Sequence, residues 1–169
     1  MINKDNILIE KDLILIGGGH ANLQVLKSFI LKPLKGLRVT LISNVYETPY
    51  SGMLPGFLEN IYNLDDIFFD LYKICHQGQF RFIKSSVTGI KASQNLIEFK
   101  DRPPLHFDFL SINIGIGSNK SNIINSDKYA LTLKPISQIN YIEITKKLEN
   151  KKVAIIGSGA AGIEVSLAL

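Results

Sequence analysis

The residues in this chain whose types and spacing could do chemistry are gathered in two glycine turns. Gly17-x-Gly19-x-x-Asn22 follows the apolar run Leu13-Ile14-Leu15-Ile16 and opens a segment in which Ala21, Val25, Leu26, Phe29 and Ile30 keep helical spacing. In a strand, turn and helix of this kind the first glycine permits the tight turn and the second lets the backbone approach a pyrophosphate. The helix N-terminus then offers unpaired N–H groups and a favourable dipole to that anion. The third position, normally Gly or Ala, is Asn22, and Ser43 and Asn44 stand where an Asp or Glu at the end of the second strand would hydrogen-bond a ribose. By itself this turn reads equally as a phosphate cradle or as a structural strand-to-helix turn. The second match, Gly157-Ser158-Gly159-Ala160-Ala161-Gly162, is complete; Val153-Ala154-Ile155-Ile156 precedes it as a predicted strand, and helix-forming residues 163–169 follow. Gly17 and Gly157 lie 140 positions apart, the spacing expected when one nucleotide-binding domain is inserted in another.

The elements that must position these turns are legible from periodicity and punctuation. The first helix is expected to stop near Lys32, because Pro33 disfavours the α conformation in the residue before it and Gly36 supplies a turn. Val39-Thr40-Leu41-Ile42 then completes strand, helix, strand, a βαβ unit with a right-handed crossover. From Ser43 to Asp70 periodicity is lost and Pro49, Gly52, Pro55 and Gly56 punctuate the chain. An ordered irregular loop is predicted there, leading into a helical turn around 64–72 with Phe68, Phe69 and Tyr72 as core. Residues 80–90, 96–100 and 107–116 read as three strands of a β-meander, and 139–148 as a helix. The chain runs only seven residues past Gly162, so the second turn is expected to be the opening of a βαβ unit, which needs about 30 residues. The polypeptide accordingly reads as the N-terminal part of a longer one.

Composition narrows the function classes. At 169 residues, 46% hydrophobic and 20% charged, the chain is an ordinary globular mix, neither disordered nor fibrous. The net charge of +4 comes from 16 Lys and three Arg scattered without a run of five, which lacks the clustered stripe expected for nucleic-acid binding. The single cysteine, Cys75, excludes an internal disulfide and a CxxC redox pair, and reads as a buried small apolar residue in a reducing compartment. His76 and His106 are isolated, so no metal site is expected. Lys146, Lys147, Lys151 and Lys152 read as a solvated face. No stretch approaches 18 apolar residues, and the expectation is a soluble cytoplasmic protein with surface attachment to a membrane left open.

Beyond the turns, the loop Thr48-Pro49-Tyr50-Ser51-Gly52-Met53-Leu54-Pro55-Gly56 and the stretch from Arg102-Pro103-Pro104 through Phe107-Asp108-Phe109-Leu110-Ser111-Ile112-Asn113-Ile114-Gly115 carry a family likeness. With both glycine turns, they resemble the FAD-dependent pyridine nucleotide-disulfide oxidoreductase superfamily over nearly the whole chain. The branch is the one similar to type II NADH dehydrogenases and often fused to a selenide, water dikinase. The resemblance implies an α/β fold: a Rossmann-like FAD-binding domain, built of βαβ plus β-meander, and the start of a second Rossmann-like NAD(P)-binding domain. It implies domains at 1–125 and 151–169 with a connecting segment at 126–150. It places the FAD pyrophosphate on Gly17, Gly18 and Gly19, with His20, Ala21 and Asn22 opening the helix, and Ser43 at the ribose position. Thr48 and Pro49 fall near the flavin ring, the Val87 backbone meets the adenine, and Gly115 and Gly117 form a small-residue turn against FAD. NAD(P)H falls on Gly157, Ser158, Gly159, Ala160, Ala161 and Gly162, with Glu164 close to the nicotinamide.

The activity implied is hydride transfer from NAD(P)H to FAD and then to an external small-molecule acceptor such as a quinone, since the chain has no redox disulfide. Peripheral membrane contact and a fused or neighbouring selenide, water dikinase are the partners the resemblance brings with it, and no nucleic acid. The rival readings are a non-catalytic truncated nucleotide-binding fragment and a flavoprotein module serving the dikinase. No acid/base residue is assigned.

Overall fold

In a computed structural model of the chain, residues 8–118, 123–136 and 139–169 are described. The chain divides into two compact units, Met1–Thr48 with Asp70–Ile114, and Pro49–Phe69 with Gly115–Leu169.

The first unit is built on a parallel four-stranded sheet. Its strands are β1 (Lys11–Ile16), β2 (Leu37–Ser43), β5 (Arg81–Lys84) and β9 (Phe109–Ile112), in the order β5-β2-β1-β9. Helix α1 (His20–Leu31) connects β1 to β2, as the apolar spacing predicts, and its C-cap is Lys32. Because successive strand residues face opposite ways, β1, β2 and β5 each serve two cores. Leu15, Val39 and Leu41 pack with Leu26 of α1 and with Leu71 and Cys75 of α3 (Leu71–Gln77). Ile14, Ile16 and Ile42 pack with Ile97 and Phe107 on the other face. That second face is covered by an antiparallel sheet of β6 (Val87–Lys91), β7 (Leu96–Phe99) and β8 (Leu105–His106). A sheet buried on both faces explains why β1 and β2 read as continuous apolar runs rather than as alternating ones.

The predicted three-strand meander is therefore corrected to five strands serving two sheets. Residues 80–90 divide into β5 and β6, because the chain turns at Ser85, whose N–H donates to the Ser43 carbonyl at 3.0 Å and whose hydroxyl donates to Asp101 at 2.6 Å. Residues 107–116 contribute β9 to the parallel sheet, in register with β1 from Leu13↔Phe109 to Ile16↔Ile112. The register is pinned at the amino edge by ion pairs. Arg38 grips Asp12 through two bonds of 2.6 and 2.8 Å, the Asp12 N–H donates to Asp108 at 2.8 Å, and Lys11 reaches Asp108 at 2.9 Å.

In the stretch read as an irregular loop, β3 (Glu47–Pro49) pairs with β4 (Phe68–Asp70), and a short helix α2 (Leu54–Leu58) lies between them. The expected helical turn around 64–72 is a 3-10 turn at Leu64–Ile67, closed by a reciprocal Asn63 and Asp66 cap, before the chain extends into β4. Asp70 then starts α3 by accepting from the Lys73 N–H at 2.8 Å. Phe69 and Tyr72 consequently lie on the surface and not in the core, since β4 and α3 break the helical phase that the spacing suggested.

In the second unit Leu54, Ile67 and Tyr141 form the core. The Tyr141 ring meets Phe57 and Phe68 edge-on at 5.4 and 5.5 Å, and its hydroxyl donates to the Ile136 carbonyl at 3.0 Å. Burial pushes that phenol up to about 12. Helices α4 (Ser126–Tyr129), α5 (Tyr141–Leu148) and α6 (Ala160–Ala168) belong to this unit. Residues 153–156, expected as a strand, join no sheet among the described residues: a strand exists through its ladder, and this segment has none. Among the described residues no helix is long and apolar enough to cross a membrane.

The Asp108 carboxyl is held below its ordinary 3.8, first by the Asp12 backbone N–H and then by the Lys11 hydrogen bond. A depressed carboxyl pKa stabilises the fold above the unfolded value and ceases to do so as pH falls through the folded one. Asp108→Asn is therefore expected to lower the thermal midpoint near neutral pH, with the gap to wild type closing below pH 3.8, as a midpoint-against-pH series would show.

Candidate functional site

In an open parallel sheet, ligands bind outside the carboxyl ends of the strands, at the point where the strand order reverses. Here that point is β1, flanked by β2 and β9. The first glycine turn leaves β1 there. The Gly17 N–H donates to the Ile42 carbonyl at 2.8 Å, and Gly17 adopts φ +87°, a conformation that L side chains rarely take. Gly19 ends the turn in extended conformation as N-cap of α1. A Cβ at Gly17 would overlap the Asn113 carbonyl, one at Gly18 would lie 2.6 Å from the Leu71 side chain, and one at Gly19 would overlap the Asn113 amide. Gly17 and Gly19 are required by the close approach of the chain at the end of β9, and Gly18 by contact with a side chain of α3 that would have to shift.

Asn22, the departure at the third position, is fully buried and held by protein. Its Nδ2 donates to the carbonyls of Ile16 and Gly17 at 3.0 and 2.8 Å, and its Oδ1 accepts from the Ser111 hydroxyl at 2.7 Å. Where the usual small residue lets helix and strand pack closely, this chain uses an amide that ties α1 to both β1 and β9. Asn113 completes the junction: its N–H donates to the Ile16 carbonyl at 2.8 Å, its carbonyl accepts from Gly19 at 3.2 Å, and its side-chain Oδ1 accepts from the Ala21 N–H at 3.0 Å. Its separation from Ala21, 92 residues, hid this role from periodicity and motif reading. The only sequence signal was its place before Gly115 in the stretch that carried the family likeness.

Of the other expected site residues in this unit, Ser43 is buried at the carboxyl end of β2 and its hydroxyl accepts from the Val45 N–H at 3.3 Å. Lys84 stands opposite it in register on β5, with its ammonium 4.2 Å from the Tyr46 ring centre. Val87 opens β6, Thr48 lies in β3, and His20 is exposed on the first turn of α1. Cys75 is buried in the core between α3, α1 and the sheet, and desolvation pushes its thiol up to about 12, which argues against a nucleophilic role. A groove of about 740 Å³ lined by Phe29, Leu34, Leu37, Phe80 and Arg81 opens at the amino ends of β2 and β5, away from the turn. Among the described residues no three His, Cys, Asp or Glu side chains are grouped to hold a metal ion.

The second unit holds the second turn. Gly157 has φ +117°, and Gly159 is the extended N-cap of α6. A Cβ at Gly162 would overlap the Gly157 carbonyl, so the third glycine here serves close packing of helix on turn. A Cβ at Gly159 would meet nothing within 4 Å, and Ser158, Ala160, Ala161 and Glu164 are exposed around it. Pro49 is buried, and Gly115 (φ +81°) and Gly117 are exposed.

Glycine turns that close on a helix N-terminus, the first of them leaving a parallel sheet, are the arrangement that dinucleotide-binding folds use. The chain belongs to the pyridine nucleotide-disulphide oxidoreductase family, whose model matches residues 11–169. It is similar to the NADH dehydrogenase-like protein YutJ of Bacillus subtilis, 26% identical over an alignment of 163 positions that covers 92% of this chain and 44% of that protein. The chain thus spans under half the length of this curated relative. Among solved structures, NDH2 from Plasmodium falciparum matches with a TM-score of 0.72 at 21% identity, over 94% of this chain and 36% of that one. The water-forming NADH oxidase from Lactobacillus brevis matches with a TM-score of 0.74 at 16% identity, over 94% and 37%. NADH:rubredoxin oxidoreductase from Clostridium acetobutylicum matches with 0.67 at 21%, over 94% and 41%. These likenesses show a shared fold.

Asn22→Ala is expected to destabilise the protein by about 1–3 kcal/mol, because the Gly17 carbonyl and the Ser111 hydroxyl lose their partner while the Ile16 carbonyl keeps the Asn113 N–H. A shift of the urea-unfolding midpoint to lower concentration checks this.

Proposed function

We propose that the chain is the FAD-binding portion, together with the opening of the NAD(P)H-binding portion, of a flavin-dependent NAD(P)H oxidoreductase. The observation that carries the reading is the pair of glycine turns, each ending in an extended glycine that caps a helix, in a chain of this family. The division follows the turns: residues 1–125 for FAD, 126–150 as connection, 151–169 for the nicotinamide nucleotide.

The residues suit those groups. At the first turn the backbone of Gly17, Gly18 and Gly19 would hold the FAD pyrophosphate at the mouth of a 12-residue helix, whose dipole favours the anion. Asn22 contributes by fixing the turn through its buried amide. Ser43 would meet the adenosine ribose as a hydroxyl partner, Val87 the adenine, Thr48 and Pro49 the flavin ring, and Gly115 and Gly117 the dinucleotide. At the second turn Gly157, Ser158, Gly159, Ala160, Ala161 and Gly162 would hold NAD(P)H, the open space beside Gly159 being what a pyrophosphate needs. Glu164 would lie toward the nicotinamide. When bound, FAD supplies the two-electron chemistry, accepting hydride from the nicotinamide and passing electrons to an acceptor. The protein contributes position and electrostatics. With Cys75 as its single cysteine, buried and with a raised thiol pKa, the chain offers no dithiol relay, which favours direct delivery to a small external acceptor such as a quinone. Contact with a membrane surface and service to a selenide, water dikinase extend this reading; the second rests on the likeness of the Thr48–Gly56 loop to that branch, the first on the family resemblance in general.

The full-length protein is expected to purify yellow, to release stoichiometric FAD on denaturation, and to lose its visible flavin band on anaerobic addition of NADH or NADPH. Gly159→Ala should fold and keep its FAD, since the added methyl meets no protein atom, but should need at least about tenfold more NAD(P)H for half-maximal bleaching. NAD(P)H oxidation by a flavin-free preparation at the full rate would sink the reading.

A further inference from the structure

The two turns differ in one respect that the motif does not encode. Beside Gly159 the mouth of α6 is open, whereas beside Gly19 the mouth of α1 holds the side chain of Asn113. Ala21 is the second residue of α1, so its N–H has no partner within the helix. Asn113 supplies that partner from 92 residues away, its Oδ1 accepting at 3.0 Å, while its own carbonyl accepts from Gly19 at 3.2 Å. Only the oxygen end of the amide can meet an N–H donor, so an acceptor atom stands where an anionic oxygen is otherwise received. The absence of a Cβ at Gly19 is what gives the amide room.

We infer that Asn113 is an affinity-setting residue of the first turn: a neutral plug on the N-terminus of α1 that competes with the dinucleotide pyrophosphate for the Ala21 N–H and gives it up when the pyrophosphate binds. The inference rests on the reading of this turn as the FAD site. An amide suits the role because it carries no charge. It satisfies the N–H without a charge–dipole attraction strong enough to hold it there against a phosphate, and it does not repel the anion. A carboxylate would do both, and a methyl would do neither.

The test is FAD titration of the flavin-stripped full-length protein, read by flavin fluorescence, alongside the thermal midpoint of each flavin-free form. Asn113→Ala removes the plug. Its flavin-free midpoint should fall and its FAD affinity should rise by about fivefold, the worth of one hydrogen bond that no longer has to be broken. Asn113→Asp keeps the cap and charges it: its flavin-free midpoint should stay at or above wild type, and FAD affinity should drop by at least about tenfold. Shifts of opposite sign are the signature, because a merely structural asparagine would weaken FAD binding in both variants. If Asn113→Ala fails to fold, Asn113→Asp alone decides. Wild-type FAD affinity in Asn113→Asp, or weakening in both variants, overturns the inference and leaves the FAD site standing. A wild-type protein that takes up no FAD overturns the site reading, and the inference with it.

Discussion

The structure of the first unit depends on how closely the end of β9 is pressed against the turn that follows β1. The Asn113 N–H closes on the Ile16 carbonyl at 2.8 Å, and the same residue then reaches over the turn to the first residues of α1. Such an approach leaves no room for side chains at positions 17 and 19, so the glycines there are demanded by the protein's own packing before any ligand is considered. The buried Asn22 amide works from beneath, bonded to β1, to the turn and, through Ser111, to β9. A polar group with three partners in a dry setting holds its neighbours in one arrangement more strictly than an apolar side chain does. The carboxyl edge of the sheet around Asn22 is thus held together by protein groups alone.

The opposite edge of the same sheet is organised by charge. Arg38, Asp12, Asp108 and Lys11 run across β2, β1 and the approach to β9, fixing their register where the strands begin. Amides and backbone groups fix it where they end. The carboxylates of Asp12 and Asp108 thus lie at the end of the strands away from the glycine turn, where a carboxylate would compete with phosphate for the helix N-terminus.

Local signals gave most of the first half of the fold. The β1, α1, β2 unit follows from apolar runs, helical spacing and Pro33 with Gly36, all of which act within a few residues. The meander was harder. Residues 80–90 look like one strand because Phe80, Phe82, Ile83 and Val87 are all strand-forming, and the break at Ser85 depends on Ser43 and Asp101, which are distant in sequence. Residues 153–156 show the converse: they have the composition of a strand but no neighbour among the described residues to make them one. In the site, glycine positions were legible because backbone conformation is local. Asn22 read as a defect in the motif, since nothing nearby reveals that its amide meets Ser111.

The junction between Ala21 and Asn113 also has a consequence in time. The ribosome adds about 5–20 residues per second, so with 92 positions between the partners, Asn113 emerges on the order of ten seconds after α1 has been made. Throughout that interval the nascent β1 has one bare edge, and the buried amide of Asn22 lacks the hydroxyl that completes it. The β1, α1, β2 segment therefore passes through synthesis as an open template, exposed to whatever strand arrives first, and β9 is the piece that retires that risk.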